Sequence, residues 1–443
     1  MKTVVNEKSP LRQLRFALSI LAAAGAIIYI ILIRPHLTVN ASTVVIELVL
    51  AAGIILSLVF TLAWDIIILV ITLVAAVTPR TRSKTTLWLL RFKNTSIKAL
   101  ILVLLLAVAV LLSQWLSYTP PIMGEDNKPL PNSIASLEKV ELGGSKQWIT
   151  IRGKNKDNPV LLFLAGGPGG SQLAAVRNEL KGLEDNFVVV NWDQPGSGKS
   201  YNSVSRKSLT PERYISDAYE LTQYLCKRFK QEKIYVLGES WGSSLGIMLV
   251  QKHPELFHAF IGTGQMVAFL DTEIYDYNFA MKLAEQKGDM QTTQKLKNQG
   301  PPPYYGSDVT WKSATYLMYL SNYMAKNPSI KNSGYNTLGE LSGPEYGLYD
   351  KVNYLRGVVY TFNHVYPQLY ETDLRKQANK IDVPVYFLEG RHDVNAPTAL
   401  VEEYYQLLEA PHKEIIWFEH SGHDPWRNES NELVDTVVSI SKK

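Results

Sequence analysis

The stretch Lys233-Ile-Tyr-Val-Leu237, Gly238-Glu239-Ser240-Trp241-Gly242, Ser243-Ser-Leu-Gly-Ile-Met-Leu-Val-Gln251 decides how this chain is read. The apolar run before Gly238 predicts a strand, and the run from Ser243 predicts a helix. At the hinge between them one serine is flanked by glycines, an arrangement that holds a nucleophile in a strained, exposed turn. A Cβ at either glycine position would collide with the neighbouring strand or helix in so tight a turn. A bare G-x-S-x-G arises by chance in about one chain in ten of this length. Its weight depends on what else the chain supplies.

Outward from this hinge, the pattern from Ser136 is strand, strand, then alternating strand and helix. Val140–Leu142 and Trp148–Arg152 predict an opening hairpin. Val160–Leu164, Phe187–Asn191, Ile234–Leu237, Ala259–Gly262, Val385–Leu388 and Glu414–Phe418 are continuous apolar runs. Such runs suit strands buried on both faces of a parallel sheet. Helical segments between most of them give an α/β fold with a mostly parallel, doubly wound sheet. Between Met266 and Lys380 the strand rhythm stops, and a helical, Tyr-rich cap is expected there. The expected division is a core of 136–265 and 380–443, a cap of 266–379, and a linker of 119–135 stiffened by Thr119-Pro-Pro121 and Lys128-Pro-Leu-Pro131.

A serine nucleophile needs a base, an acid and oxyanion donors. Ala165-Gly166-Gly167-Pro168-Gly169-Gly170 follows a predicted strand, where backbone N–H groups can face a developing oxyanion. The expected donors are the amides of Gly167 and of Trp241, the residue after the nucleophile. In the chain order serine, acid, histidine, the base falls in His420-Ser421-Gly422-His423-Asp424. His423 is favoured and His420 held in reserve. The acid falls in Glu389-Gly-Arg-His-Asp393, with Asp393 favoured over Glu389, while Asp424 is badly placed to reach around the ring. His253, His258, His364 and His412 are expected to be solvated or packed. Gly196-Ser-Gly-Lys-Ser200 imitates the end of a phosphate loop, but Asp193 stands where that pattern needs glycine, and its charge would repel phosphate.

Composition narrows the alternatives. Over 443 residues the net charge is +4, and the basic excess gathers beside the apolar runs rather than across the rest of the chain. Nucleic acid is therefore not an expected partner. The single cysteine, Cys226, excludes an intrachain disulfide and is expected in a helix as a small hydrophobe.

Residues 16–116 hold three long apolar runs, read as transmembrane helices at about 16–33, 50–77 and 99–116. Lys2, Lys8, Arg12 and Arg15 before the first also fit a cleavable signal peptide, but no small-residue cleavage site precedes Arg34-Pro35. The second run starts at Val44 and is too long for one straight span, so Glu47 is expected in the interface, while Asp65 is expected to face a neighbouring helix. Arg80, Arg82, Lys84, Arg91, Lys93 and Lys98 form a basic loop before the third run. By the positive-inside rule the N-terminus and this loop are cytoplasmic. Three crossings then put the remaining chain outside the cell, in a multi-pass membrane protein.

Gly166-Gly-Pro-Gly-Gly170, Asp193-Gln-Pro-Gly-Ser-Gly-Lys-Ser200, Gly238-Glu-Ser-Trp-Gly-Ser243, Glu389-Gly-Arg-His-Asp393 and Ser421-Gly-His423 together resemble the α/β-hydrolase fold, in its proline iminopeptidase branch. The resemblance covers about residues 136–265 and 380–443 and the cap only in position. It implies a serine hydrolase working through an acyl-enzyme with Ser240, Asp393 and His423, and no metal or organic cofactor. It further implies aminopeptidase activity on a small-molecule or short peptide substrate. Ala165 replaces the histidine usual before the glycine loop, and Glu239 replaces a usual glycine. The branch binds a free α-amino group through cap glutamates; Glu273, Glu340 and Glu345 are candidates that no motif fixes. Cap tyrosines including Tyr275, Tyr304, Tyr305 and Tyr319 are candidate pocket walls. The rival readings are a carboxylesterase and a non-catalytic membrane-tethered binding module. The bilayer is the other expected partner.

Overall fold

Gly143 and Gly144, at φ of 53° and 71°, close a two-residue turn between β1 (Ile134–Leu142) and β2 (Ser145–Gly153). Two consecutive residues of positive φ match the twist of a tight hairpin, and glycine takes that conformation without a Cβ penalty. The hairpin is longer than its apolar residues alone predict, because the ladder runs from Leu142 opposite Ser145 to Ile134 opposite Gly153.

The sheet continues through β3 (Val160–Leu164), β4 (Val188–Asp193), β5 (Ile234–Glu239), β6 (Phe257–Thr263), β7 (Val385–Gly390) and β8 (Lys413–Phe418). Its order is β1-β2-β4-β3-β5-β6-β7-β8, antiparallel through β1, β2 and β4 and parallel thereafter. Every residue of β3, β4 and β7 is buried, as strands covered on both faces require. Several strands run past their apolar stretch at the carboxyl end. Glu239 pairs opposite Thr263, and Glu389 opposite Trp417, so backbone pairing carries acids to the strand tips.

The structure is a computed structural model that describes residues 17, 20, 21, 24–34, 41–332 and 337–443. It divides into two compact units, Met1–Ser117 with Leu341–Tyr349, and Tyr118–Glu340 with Asp350–Lys443.

In the first unit, α1 (Ala41–Val77) and α2 (Thr85–Trp115) supply two helices, Val49–Val77 and Arg82–Trp115, long and apolar enough to cross a membrane. Phe60, Ile66, Leu111 and Trp115 are each more than 60% exposed, which a helix inside a soluble core would not allow. Three spans were expected. Part of the first run (16, 18, 19, 22 and 23) lies outside the described residues, and the described remainder gives the short helix Ala24–Ile33, below the roughly 20 residues a crossing needs. Among the described residues two helices reach that length, so the three crossings on which the extracytoplasmic placement rested are not confirmed.

The expected basic loop before the third run is also shorter. Thr85–Lys98 is helical, since it has no Gly or Pro, and Arg91 stacks over Trp88 one turn away at 4.6 Å. Glu47 is buried and ion-paired with Arg34 at 3.1 Å. Asp65 is buried, and its Oδ1 makes no hydrogen bond.

In the second unit, one sheet face packs under α4 (Pro211–Phe229), α5 (Trp241–Lys252) and α10 (Thr398–Leu407). The other packs under α3 (Leu173–Glu179) and α11 (Ser430–Ile440). Cys226 lies on α4, partly buried. Between β6 and β7 the described residues form helices, among them α6 (Phe269–Gln286), α7 (Met290–Gln299), α8 (Val309–Ala325) and α9 (Leu348–Arg356). Tyr277, Leu296, Tyr304, Val309, Tyr316 and Leu320 form the small core of α6 to α8.

Candidate active site

β3 has β4 on one side and β5 on the other, so the loops after β3 and β5 leave the carboxyl edge in opposite directions, the place where open α/β sheets bind ligands. Ser240 sits at the start of α5 with φ 52° and ψ −121°, a conformation that L-residues adopt only when the surroundings impose it. Its amide donates to the Thr263 carbonyl at 3.1 Å, tying the turn to the tip of β6. A Cβ on Gly242 would drive into the Leu164 carbonyl, and one on Gly238 into the Gly242 carbonyl. Both glycines are thus required by close backbone approach.

His423 arrives from the loop after β8. Its Nδ1 is 2.8 Å from Asp393 Oδ2, and the other Asp393 oxygen accepts from the amides of Asn395 at 2.7 Å and Ala396 at 3.0 Å. Gly264, at φ 54°, packs against the imidazole where a side chain would intrude, so the β6 tip touches both the serine turn and the histidine. His423 Nε2 is buried and makes no hydrogen bond. Burial disfavours the imidazolium, but the charge and hydrogen bond of Asp393, then Asp424 and Glu239, outweigh it and raise His423 to about 10.

Of the alternatives, His420 is exposed and its Nδ1 faces the Ser329 carbonyl at 3.1 Å, a structural contact. Glu389 is fully buried, accepts from the Gln265 amide at 3.2 Å, and does not bond to His423. Burial and the neighbouring Asp393 hold its carboxyl well above the usual range. His253 stacks on Tyr219 at 3.8 Å, and His258 on Tyr235 at 4.9 Å.

Gly167 lies at φ 138° and Gly169 at φ 92°, both open only to glycine. Trp241 opens α5, where the first amides have no intrahelical acceptor. Sequence reasoning missed what joins these two segments. Gln194 donates to the Ala165 carbonyl at 2.9 Å and accepts from the Trp241 indole at 3.0 Å. The glutamine stands in the quoted Asp193-Gln-Pro-Gly run, but nothing in the order of residues says which two loops it bridges. Asp193 accepts from Ser171 Oγ and from the Lys199 amide, so the phosphate-loop imitation is held shut around a carboxylate, which burial raises to about 7.

The candidate cap glutamates separate. Glu273 is buried on α6 and accepts hydroxyls from Tyr316, Ser313 (3.1 Å) and Tyr366 (3.0 Å). Burial raises it to about 6 against those bonds. Glu340 accepts from the amides of Ala174 and Ala175 at 3.0 and 2.7 Å, at the start of α3. Glu345 is buried within the first unit. Asp276, one turn from Glu273, was not singled out from the sequence. It is fully buried, and neither of its oxygens makes a hydrogen bond. Burial, then Glu273 and Asp393, hold it well above the usual carboxylate range. Of the cap tyrosines, Tyr304 is a core residue, whereas Tyr275 and Tyr305 are exposed.

The α/β-hydrolase-fold family profile matches residues 159–299. The Probable aminopeptidase YbaC of Bacillus subtilis (strain 168) is 34% identical over 315 residues, covering 70% of this chain and 97% of that protein. The chain belongs to the α/β-hydrolase family. A Proline iminopeptidase of Lactobacillus helveticus (strain DPC 4571) is 32% identical over 120 residues, 26% of this α/β-hydrolase and 39% of that relative. The crystal structure of VinJ superposes with a TM-score of 0.51 at 16% identity, covering 69% of this hydrolase and 98% of VinJ, a likeness of fold alone.

Proposed function

We propose that this chain is a serine hydrolase of aminopeptidase type, with Ser240 as nucleophile, His423 as base and Asp393 as the acid that orients it. The observation that carries the reading is the 2.8 Å Asp393–His423 pair beside a serine held at positive φ. In the reaction, Ser240 Oγ attacks the carbonyl carbon of the scissile amide while His423 Nε2 takes its proton. Asp393 on Nδ1 keeps Nε2 free to accept and stabilises the imidazolium. The Gly167 and Trp241 amides bind the oxyanion. His423 then protonates the leaving amine, the C–N bond breaks, and water, activated by the same histidine, hydrolyses the acyl-enzyme. Proton transfer of this kind is worth about 10²–10⁴ in rate. No step requires a metal or organic cofactor.

The aminopeptidase assignment draws support from the relative matched along 97% of its length. It also draws on the buried acids within electrostatic reach of His423. Among the described residues, neither Asp276 nor Glu389 has a cationic partner other than that histidine. A substrate ammonium would supply the positive charge that they lack. The expected result is that free aminoacyl p-nitroanilides of proline or alanine are cleaved, and that N-acetylation lowers kcat/KM by about 10² or more. Equal turnover of the N-acetylated amides, or exclusive turnover of short esters, would replace the peptidase reading with the esterase one.

We further propose that the two long apolar helices attach the enzyme to the bilayer. The full chain is then expected to stay in the membrane pellet through alkaline carbonate extraction. Release into the supernatant would overturn the attachment.

A further inference from the structure

Glu239 stands where the resembling hydrolases carry glycine, immediately before the serine, and its carboxylate reaches the nucleophile side of the histidine. Oε1 lies 4.0 Å from His423 Nε2, while Asp393 holds the opposite nitrogen at 2.8 Å. The carboxylate is fixed from behind by Gln172, whose Nε2 donates to Oε2 at 3.0 Å. It lies over Gly166, where any Cβ would collide with it, and only 4% of the residue is exposed. One imidazole thus has a carboxylate at each nitrogen.

We propose that Glu239 is a positioning residue for the triad: its carboxylate draws the Nε2 edge of His423 toward Ser240 and stabilises the charge the histidine acquires on taking the serine proton. This rests on the serine-hydrolase reading. Opposite charges about 4 Å apart in a buried site interact strongly, and a carboxylate at that range favours the protonated imidazole. The groups facing the pair are Asp424 beyond the histidine, Asp393 and Glu389 from the end of β7 and the loop after it, and Asp276 from α6. Among the described residues, the only ion-pair partner of Glu239 is His423.

The consequence is a pH signature. Burial, then Asp424, raises Glu239 to about 7, while His423, Gln172 and the Gly166 amide act in the opposite direction. Above that pH Glu239 is ionised and helps His423 keep its proton, so the neutral base appears only at higher pH. The two groups titrate as a coupled pair. Removing the carboxylate lowers the apparent pKa of His423 and moves the acid limb of kcat/KM to lower pH.

The test measures kcat/KM against pH for the full chain with p-nitrophenyl acetate, which carries no amino group. E239Q keeps the side-chain size and an acceptor for Gln172, and its acid limb is expected to move down by about one pH unit or more. E239D keeps the charge, and its limb is expected to stay near that of the wild type. An unmoved limb in E239Q, or an E239D profile that coincides with E239Q, overturns the role of Glu239. Failure of the wild-type enzyme to react with either a fluorophosphonate probe or any acyl substrate overturns the serine-hydrolase reading itself, and this proposal with it.

Discussion

Ser240→Ala is expected to lower kcat by about 10⁴–10⁶ while leaving the fold intact. Alanine removes only the hydroxyl. The turn itself is held by the Ser240 amide on the Thr263 carbonyl and by the close approach of Gly242 to Leu164. Those backbone contacts survive the substitution, so the thermal unfolding midpoint should change little. A fluorophosphonate probe should label the wild-type protein at this residue and leave the alanine variant unlabelled. Equal labelling of both would remove Ser240 as the nucleophile. Residual turnover after the change would measure what the proposed oxyanion donors, the Gly167 and Trp241 amides, achieve with bound water alone.

The second large effect is expected at Asp393. Asp393→Asn should lower kcat by about 10⁴ at neutral pH with KM changed only a few-fold. In the wild type, one carboxylate oxygen accepts from the Asn395 and Ala396 amides, and the other faces His423 Nδ1 at 2.8 Å. An asparagine would keep its carbonyl on the two amides, which leaves its NH₂ facing the ring. Nδ1 must then accept rather than donate, which puts the imidazole proton on Nε2, the atom that in the proposed mechanism has to be free to act as base. The shape of the site is kept and its chemistry is inverted. An Asp393→Asn enzyme with kcat near the wild-type value would transfer the acid role elsewhere, with Glu389 the nearest buried candidate.

The proposed triad is legible in the sequence because each member lies next to a feature that is local. Ser240 follows an apolar strand and is bracketed by glycines, Asp393 follows the Val385–Leu388 run, and His423 follows the Glu414–Phe418 run. A parallel sheet brings the carboxyl ends of its strands to one edge, so residues just past those runs converge without further information. The acids around the histidine were less legible. Asp276 lies within a helix whose pattern reads as ordinary amphipathic packing, and its burial without hydrogen bonds follows only from which side of α6 faces the loops that carry Asp393 and His423. Gln194 was visible as part of a motif, yet its two partners are 29 and 47 residues away in the chain.

The apolar N-terminal runs show the opposite case. Hydropathy found them, but length along the sequence did not give the helices their ends. Arg91, Lys93 and Lys98 looked like a loop because they are charged, whereas helix geometry continues through them without a breaker. Strand and helix identity, the order of the sheet-edge loops and the position of the candidate nucleophile at a strand-to-helix turn were thus determined by the sequence itself, because each rests on periodicity and backbone sterics over a few residues. The distances that give the site its electrostatics were decided only by the tertiary structure. Glu239 and His423 are 184 positions apart, and their 4.0 Å separation depends on the β5 and β8 loops meeting over the sheet. Coulomb energy follows distance in space and the surrounding burial, neither of which is written in the order of residues.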